Sequence, residues 1–147
     1  MKIVTQNLKT EISQQVQMKL NDRTYLSAIY PFIIMVGNPS GTFYFTIMNG
    51  ATQIYQSSFT SSDLKLSLNT TDNNLYVYYP ILTNIKLRKG NYTLKLTASG
   101  YSESPSSFIG WGQQHEDIQN SMDYIPSGIS KNSLTYRVKM LKEGIYD

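Results

Sequence analysis

The chain reads as an all-β protein, an antiparallel β-sandwich of jelly-roll type with eight to ten strands. Three observations predict it. Apolar and polar residues alternate in several short runs, the period of a strand with one buried face. Clusters of Gly, Asn, Pro and Asp punctuate the chain between those runs. No stretch holds the apolar period that a long amphipathic helix needs.

The elements follow in order. Residues 1–10 read as an N-terminal arm, and 11–147 as a single sandwich domain. In EISQQVQMKL (11–20), Ile12, Val16, Met18 and Leu20 alternate with Glu11, Ser13, Gln15, Gln17 and Lys19. That favours a strand; the spacing of Leu8, Ile12 and Val16 is the helical rival. TYLSAIYPFIIMV (24–36) is apolar almost throughout. It predicts one or two strands buried on both faces, with Pro31 requiring an edge, a bulge or a break. Gly37 to Gly41 is a turn cluster. Next, TFYFTIM-NG-ATQIYQSSF predicts a hairpin with Asn49-Gly50 as a type I′ pair, because both central residues of that turn need positive φ. Ser61-Ser62-Asp63 can open one helical turn. In NLYVYYPIL, Leu75, Val77 and Tyr79 alternate with Tyr76 and Tyr78. NIKLRKGNYTLKLTASGY predicts a strand, a tight turn at Arg88-Lys89-Gly90-Asn91 and a second strand with Tyr92, Leu94, Leu96 and Ala98 inward. Ser107 to Trp111 is a short apolar strand end. Residues 112–132 read as a long polar loop, and SLTYRVKML (133–141) as a last strand.

Composition narrows the function classes. Ser, Thr, Asn and Gln make up about a third of the 147 residues, with 12 tyrosines and 16% charged residues. Hydroxyl, amide and Tyr side chains suit adaptable hydrogen bonding and rigid amphipathic contact, although Tyr and Thr are also simply good strand formers. The net charge of +3 is unevenly spread but leaves no nucleic-acid footprint. With no cysteine, disulfides and thiolate chemistry are excluded. The longest apolar stretch, Ala28 to Val36, is too short for a bilayer span. The N-terminus carries no apolar run of signal-peptide length, so synthesis in a cytoplasm is expected.

Catalytic signals are sparse, and the expectation is a non-enzyme with no cofactor and no metal. His115 is the single histidine, which rules out a multi-histidine zinc site. A serine triad would need it as base, and no G-x-S-x-G elbow is present. Glu103, Glu116, Asp117 and Asp123 could supply a carboxylate pair, but nothing sets their separation. Gly110-Trp-Gly112 lacks the further glycine of a phosphate loop. Lys86, Arg88, Lys89 and Lys95 flank one predicted hairpin and form a candidate basic docking site; a solvated turn is the plainer reading. Trp111 either closes the core or a subunit interface, or stacks on a sugar beside Tyr76, Tyr78 or Tyr101. His115 is expected at the surface or at an interface.

The run LRKGNYTLKLTASGY followed by SFIGW (about residues 85–111) resembles small jelly-roll proteins of bacteriophage particles. The resemblance implies a virion protein of head-decoration, tail-accessory or fibre-attachment type. Such a protein works by self-association and by docking onto neighbouring virion proteins. The alternative is a carbohydrate-binding sandwich module that recognises a host glycan through exposed aromatics.

Overall fold

The computed structural model describes residues 3–4, 14–114 and 136–142. His115, Glu116, Asp117 and Asp123 lie outside the described residues, as do most of the N-terminal arm and of the 112–132 loop.

Eleven strands and one short helix make up the described chain: β1 (Ile3–Val4), β2 (Gln14–Leu20), β3 (Thr24–Val36), β4 (Thr42–Asn49), β5 (Thr52–Phe59), α1 (Ser61–Ser67), β6 (Leu75–Tyr78), β7 (Ile81–Leu87), β8 (Gly90–Ser99), β9 (Phe108–Trp111), β10 (Gln113–Gln114) and β11 (Tyr136–Lys142). All pairings are antiparallel. The all-β expectation is met.

Two sheets carry the fold. The first runs β2-β8-β4-β5. The second is built around β3: β6 and then β7 line one side of it, β9 and then β11 the other. A short β1–β10 ladder, Ile3↔Gln114 and Val4↔Gln113, ties the N-terminal arm to the strand after β9. The inner faces share one core. Val16, Met18, Phe43, Phe45, Ile47, Leu94 and Leu96 come from the first sheet, and Leu26, Ile29, Ile33, Met35, Ile109 and Trp111 from the second. Burial of such side chains is the main stabilising term of the fold.

The long β3 is one strand, and Pro31 does not break it. Proline lacks an N–H, so it is tolerated where strand pairing changes. Pro31 sits at that changeover: β6 ends at Tyr78 opposite Phe32, and β7 begins at Ile81 opposite Ile29. The break falls in the partner, at Tyr79-Pro80, where the Tyr79 amide donates to the Pro31 carbonyl at 3.0 Å.

The β4–β5 hairpin corrects the expected turn. Asn49 pairs with Thr52, so the central residues are Gly50 and Ala51. Gly50 has φ of 60°, and Ala51 is not among the positive-φ residues. Glycine first and an ordinary residue second is the type II′ pattern. Asn49 is therefore the last strand residue. A bulge follows, in which Ile54 is the extra residue of β5 between the Met48↔Gln53 and Ile47↔Tyr55 pairs.

A second correction concerns Arg88-Lys89-Gly90-Asn91. The strands on either side do not form a hairpin. β7 belongs to the β3 sheet and β8 to the other, so the chain crosses between sheets here. The Tyr92 hydroxyl braces the crossing by donating to the Arg88 carbonyl at 2.6 Å.

The helical turn expected at Ser61 extends over seven residues as α1. Thr60 and Asp63 form a capping box: the Asp63 amide donates to Thr60 Oγ1 at 3.2 Å, and the Thr60 amide donates to Asp63 Oδ2 at 2.8 Å.

Candidate interaction surface

The two sheets present different outer faces. That of the first sheet is polar. Gln15 and Thr46 flank Lys95 across the strands, with Gln56 beyond Thr46. Hydrogen bonds run across it, from Gln17 Nε2 to Thr93 Oγ1 at 3.0 Å and from Gln56 Nε2 to Thr46 Oγ1 at 3.2 Å. Such a face is satisfied by its own neighbours and by water.

The outer face of the β3 sheet is apolar at its centre, with Lys86 opposite Tyr25 and, by register, Arg137 and Lys139 of β11 opposite Tyr30 and Ala28. Ala28, Phe32 and Ile34 are buried without belonging to the sandwich core. Opposite them on the neighbouring edge strands stand Leu82, Tyr78 and Tyr76. The Phe32 and Tyr78 rings pack with centroids 5.0 Å apart. On the other side the chain leaves β9 closely over this face. The Gly112 amide donates to the Phe32 carbonyl at 2.8 Å, and a Cβ on Gly112 would sit 2.5 Å from Ile34 Cδ1. A larger residue there would have to displace the Ile34 and Phe32 side chains. Toward the β6 and β7 edge the face lies open: Tyr76 is 56% exposed and Leu82 is 70% exposed. Tyr76 and Tyr78 were legible as an outward pair from their alternation; Leu82, Phe32 and Ile34 were not, because an apolar run buried on both faces has no period to read.

The remaining aromatic candidates sit elsewhere. Trp111 is 0% exposed and Tyr101 4% exposed, which places Trp111 in the core, the first of its two readings, and removes both rings from the alternative sugar platform. The Trp111 indole packs in the core, its ring centroid 5.7 Å from that of Phe45. Tyr101 stands edge-on to Phe43 at 5.4 Å. A ring closed in a sandwich core has no face left to stack on a sugar.

Tyr101 instead holds the edge of β9. Its hydroxyl accepts from the Ile109 amide at 3.2 Å and donates to the Ile109 carbonyl at 3.4 Å. Two residues on, the Gln14 side chain repeats the pattern: Oε1 accepts from the Trp111 amide at 2.8 Å, and Nε2 donates to the Trp111 carbonyl at 3.4 Å. Residues two apart in a strand point their backbone groups to the same side. The two side chains therefore occupy consecutive sites along one edge of β9. Burial pushes the Tyr101 hydroxyl above its ordinary pKa, with the Ile109 hydrogen bond opposing and the nearby Glu103 charge adding.

The basic quartet is divided. Lys86, Arg88 and Lys89 are exposed at the sheet-to-sheet crossing. Lys95 is on the polar outer face of the first sheet, opposite Gln15 and Thr46. Among the described residues, no group of three or more His, Cys, Asp or Glu side chains is placed to hold a metal. Among the same residues, no helix is long and apolar enough to cross a membrane.

No family model, curated protein or solved structure matches the chain.

Proposed function

We propose that the protein is a non-enzymatic structural subunit that works by self-association and docking through the outer face of the β3 sheet. The observation that carries the reading is the contrast between outer faces: one with an apolar centre that opens at Tyr76 and Leu82, and a polar one with hydrogen bonds running across it. Exposed apolar area of this kind marks interaction surfaces. A stable interface centred there would bury about 1,200–2,000 Å² in total. The resemblance of residues 85–111 to phage jelly-roll proteins extends the proposal to a virion component of head-decoration, tail-accessory or fibre-attachment type. Its partners would then be copies of itself and neighbouring virion proteins. The sandwich enters this proposal without its jelly-roll form. A jelly roll wound from a folded ribbon nests its strand pairs, setting β2 beside β9 and β3 beside β8. Here β2 lies on β8 and β3 on β9.

The test is the molar mass in solution, by light scattering on a sizing column across a range of concentrations. A defined oligomer that falls to 16.7 kDa on combining Tyr76→Ser with Leu82→Ser supports the reading. An oligomer indifferent to both changes, or a monomer at every concentration, removes self-association through this face.

A further inference from the structure

The seam where the β5 edge of one sheet faces the β7 edge of the other holds a cleft of about 440 Å³. Both bordering strands are irregular there. β5 carries the extra residue Ile54. β7 bulges at Thr83-Asn84, two residues opposite Ser27 alone, with Asn84 at φ of 49°. Bulges turn an edge away from strand pairing and re-aim side chains. A seam bulged on both sides is a poor template for an added strand and leaves room for a compact ligand.

The lining has two parts. Ile54 and Ile85 pack against the core, and Leu87 and Tyr92 belong to it; together they make an apolar floor. The Tyr92 hydroxyl is already committed to the Arg88 carbonyl. The rim is Asn49, Lys86 and Arg88, and no acidic residue lines the cleft. A guanidinium fork matches a carboxylate bidentately, and an ammonium adds a point charge. The Asn49 amide offers both a donor and an acceptor. The volume lies within the range of small-molecule sites, about 300–1,000 Å³.

We infer that this cleft binds a small organic carboxylate carried on a compact body with an apolar face. Arg88 and Lys86 hold the carboxylate, and the body lies on Ile54, Ile85 and Leu87. A hexuronate or a carboxyl-terminal amino acid would offer that chemistry. The site is separate from the outer-face patch and stands whether or not that patch mediates assembly.

The experiment is an amide NMR titration of the full chain. Glucuronate and N-acetyl-leucine are the carboxylate probes. Methyl glucoside and N-acetyl-leucinamide are their neutral counterparts, and inorganic phosphate is the compact anion. The expected result is saturable shifts at Ile54, Ile85 to Arg88 and Tyr92 with at least one carboxylate, and about tenfold weaker binding of its neutral counterpart. Which carboxylate binds distinguishes the two sources. Arg88→Gln and Lys86→Gln, both at exposed positions, should each weaken it by about tenfold while leaving the free spectrum dispersed. Equal binding of the neutral counterpart overturns the proposal. So does phosphate binding as tightly at the same residues, unchanged affinity in both variants, or no saturable shift.

Discussion

The two seams of the sandwich are built in opposite ways. Along the β2–β9 seam, side chains stand in for a missing strand. Gln14 and Tyr101 satisfy the backbone of Trp111 and Ile109, and the indole closes the core beneath them. Along the β5–β7 seam both strands are bulged, and the Tyr55 hydroxyl reaches across to donate to the Leu82 carbonyl at 2.9 Å. A buried backbone group without a partner costs far more than an exposed one. The first seam is therefore expected to hold stability and the second to hold recognition.

The largest test of this contrast is Trp111→Ala. Removing a fully buried ring leaves a cavity and should cost about 3–5 kcal/mol in urea unfolding. A loss under about 1 kcal/mol would mean that the indole is not a core residue. Next come Gln14→Leu and Tyr101→Phe. Each strands a buried amide and carbonyl and should cost about 1–3 kcal/mol by the same measurement. Because each acts on a different residue of β9, the double variant also shows whether the two clasps act as one unit.

Alkaline titration probes the buried tyrosines of the sandwich. Burial raises the hydroxyl pKa of Tyr79, Tyr92 and Tyr101 above the ordinary value of 10.0. The folded state thus favours their protonated forms. Their contribution is complete below pH 10 and is lost as pH rises through the raised values. Thermal unfolding followed from pH 8 to 11 should show a falling midpoint above about pH 10. Tyr101→Phe should flatten that fall. The smallest effects are expected at the exposed cleft rim and the outer face. Arg88→Gln and Leu82→Ser should each change stability by no more than about 0.5 kcal/mol. A larger loss would mean that these positions also carry structure.

Strand positions were readable where burial alternates. β2 has inward Val16, Met18 and Leu20 against Gln15, Gln17 and Lys19, and the alternating Tyr76 and Tyr78 take the face opposite the inward Leu75 and Val77. The candidate surface was only half legible. Its edge tyrosines alternate, but its centre, Phe32 and Ile34, sits in a run buried on both faces. The cleft left almost no trace. Lys86 and Arg88 stood out as charges, whereas Asn49 and Ile54 reach the rim and floor through a turn and a bulge that composition does not announce.

The sequence by itself determined the all-β class, the inward and outward parity of most strands, and the helical turn that opens at Ser61. Each of these depends on residues a few positions apart. Tertiary structure decided which strands became neighbours. It carried β3 through Pro31 by placing the break in β6 and β7, and it set β7 and β8 in different sheets. It also brought Gln14 to Trp111 across 97 residues. These outcomes depend on which distant backbone groups and apolar faces can be satisfied together, and local periodicity holds no record of that choice.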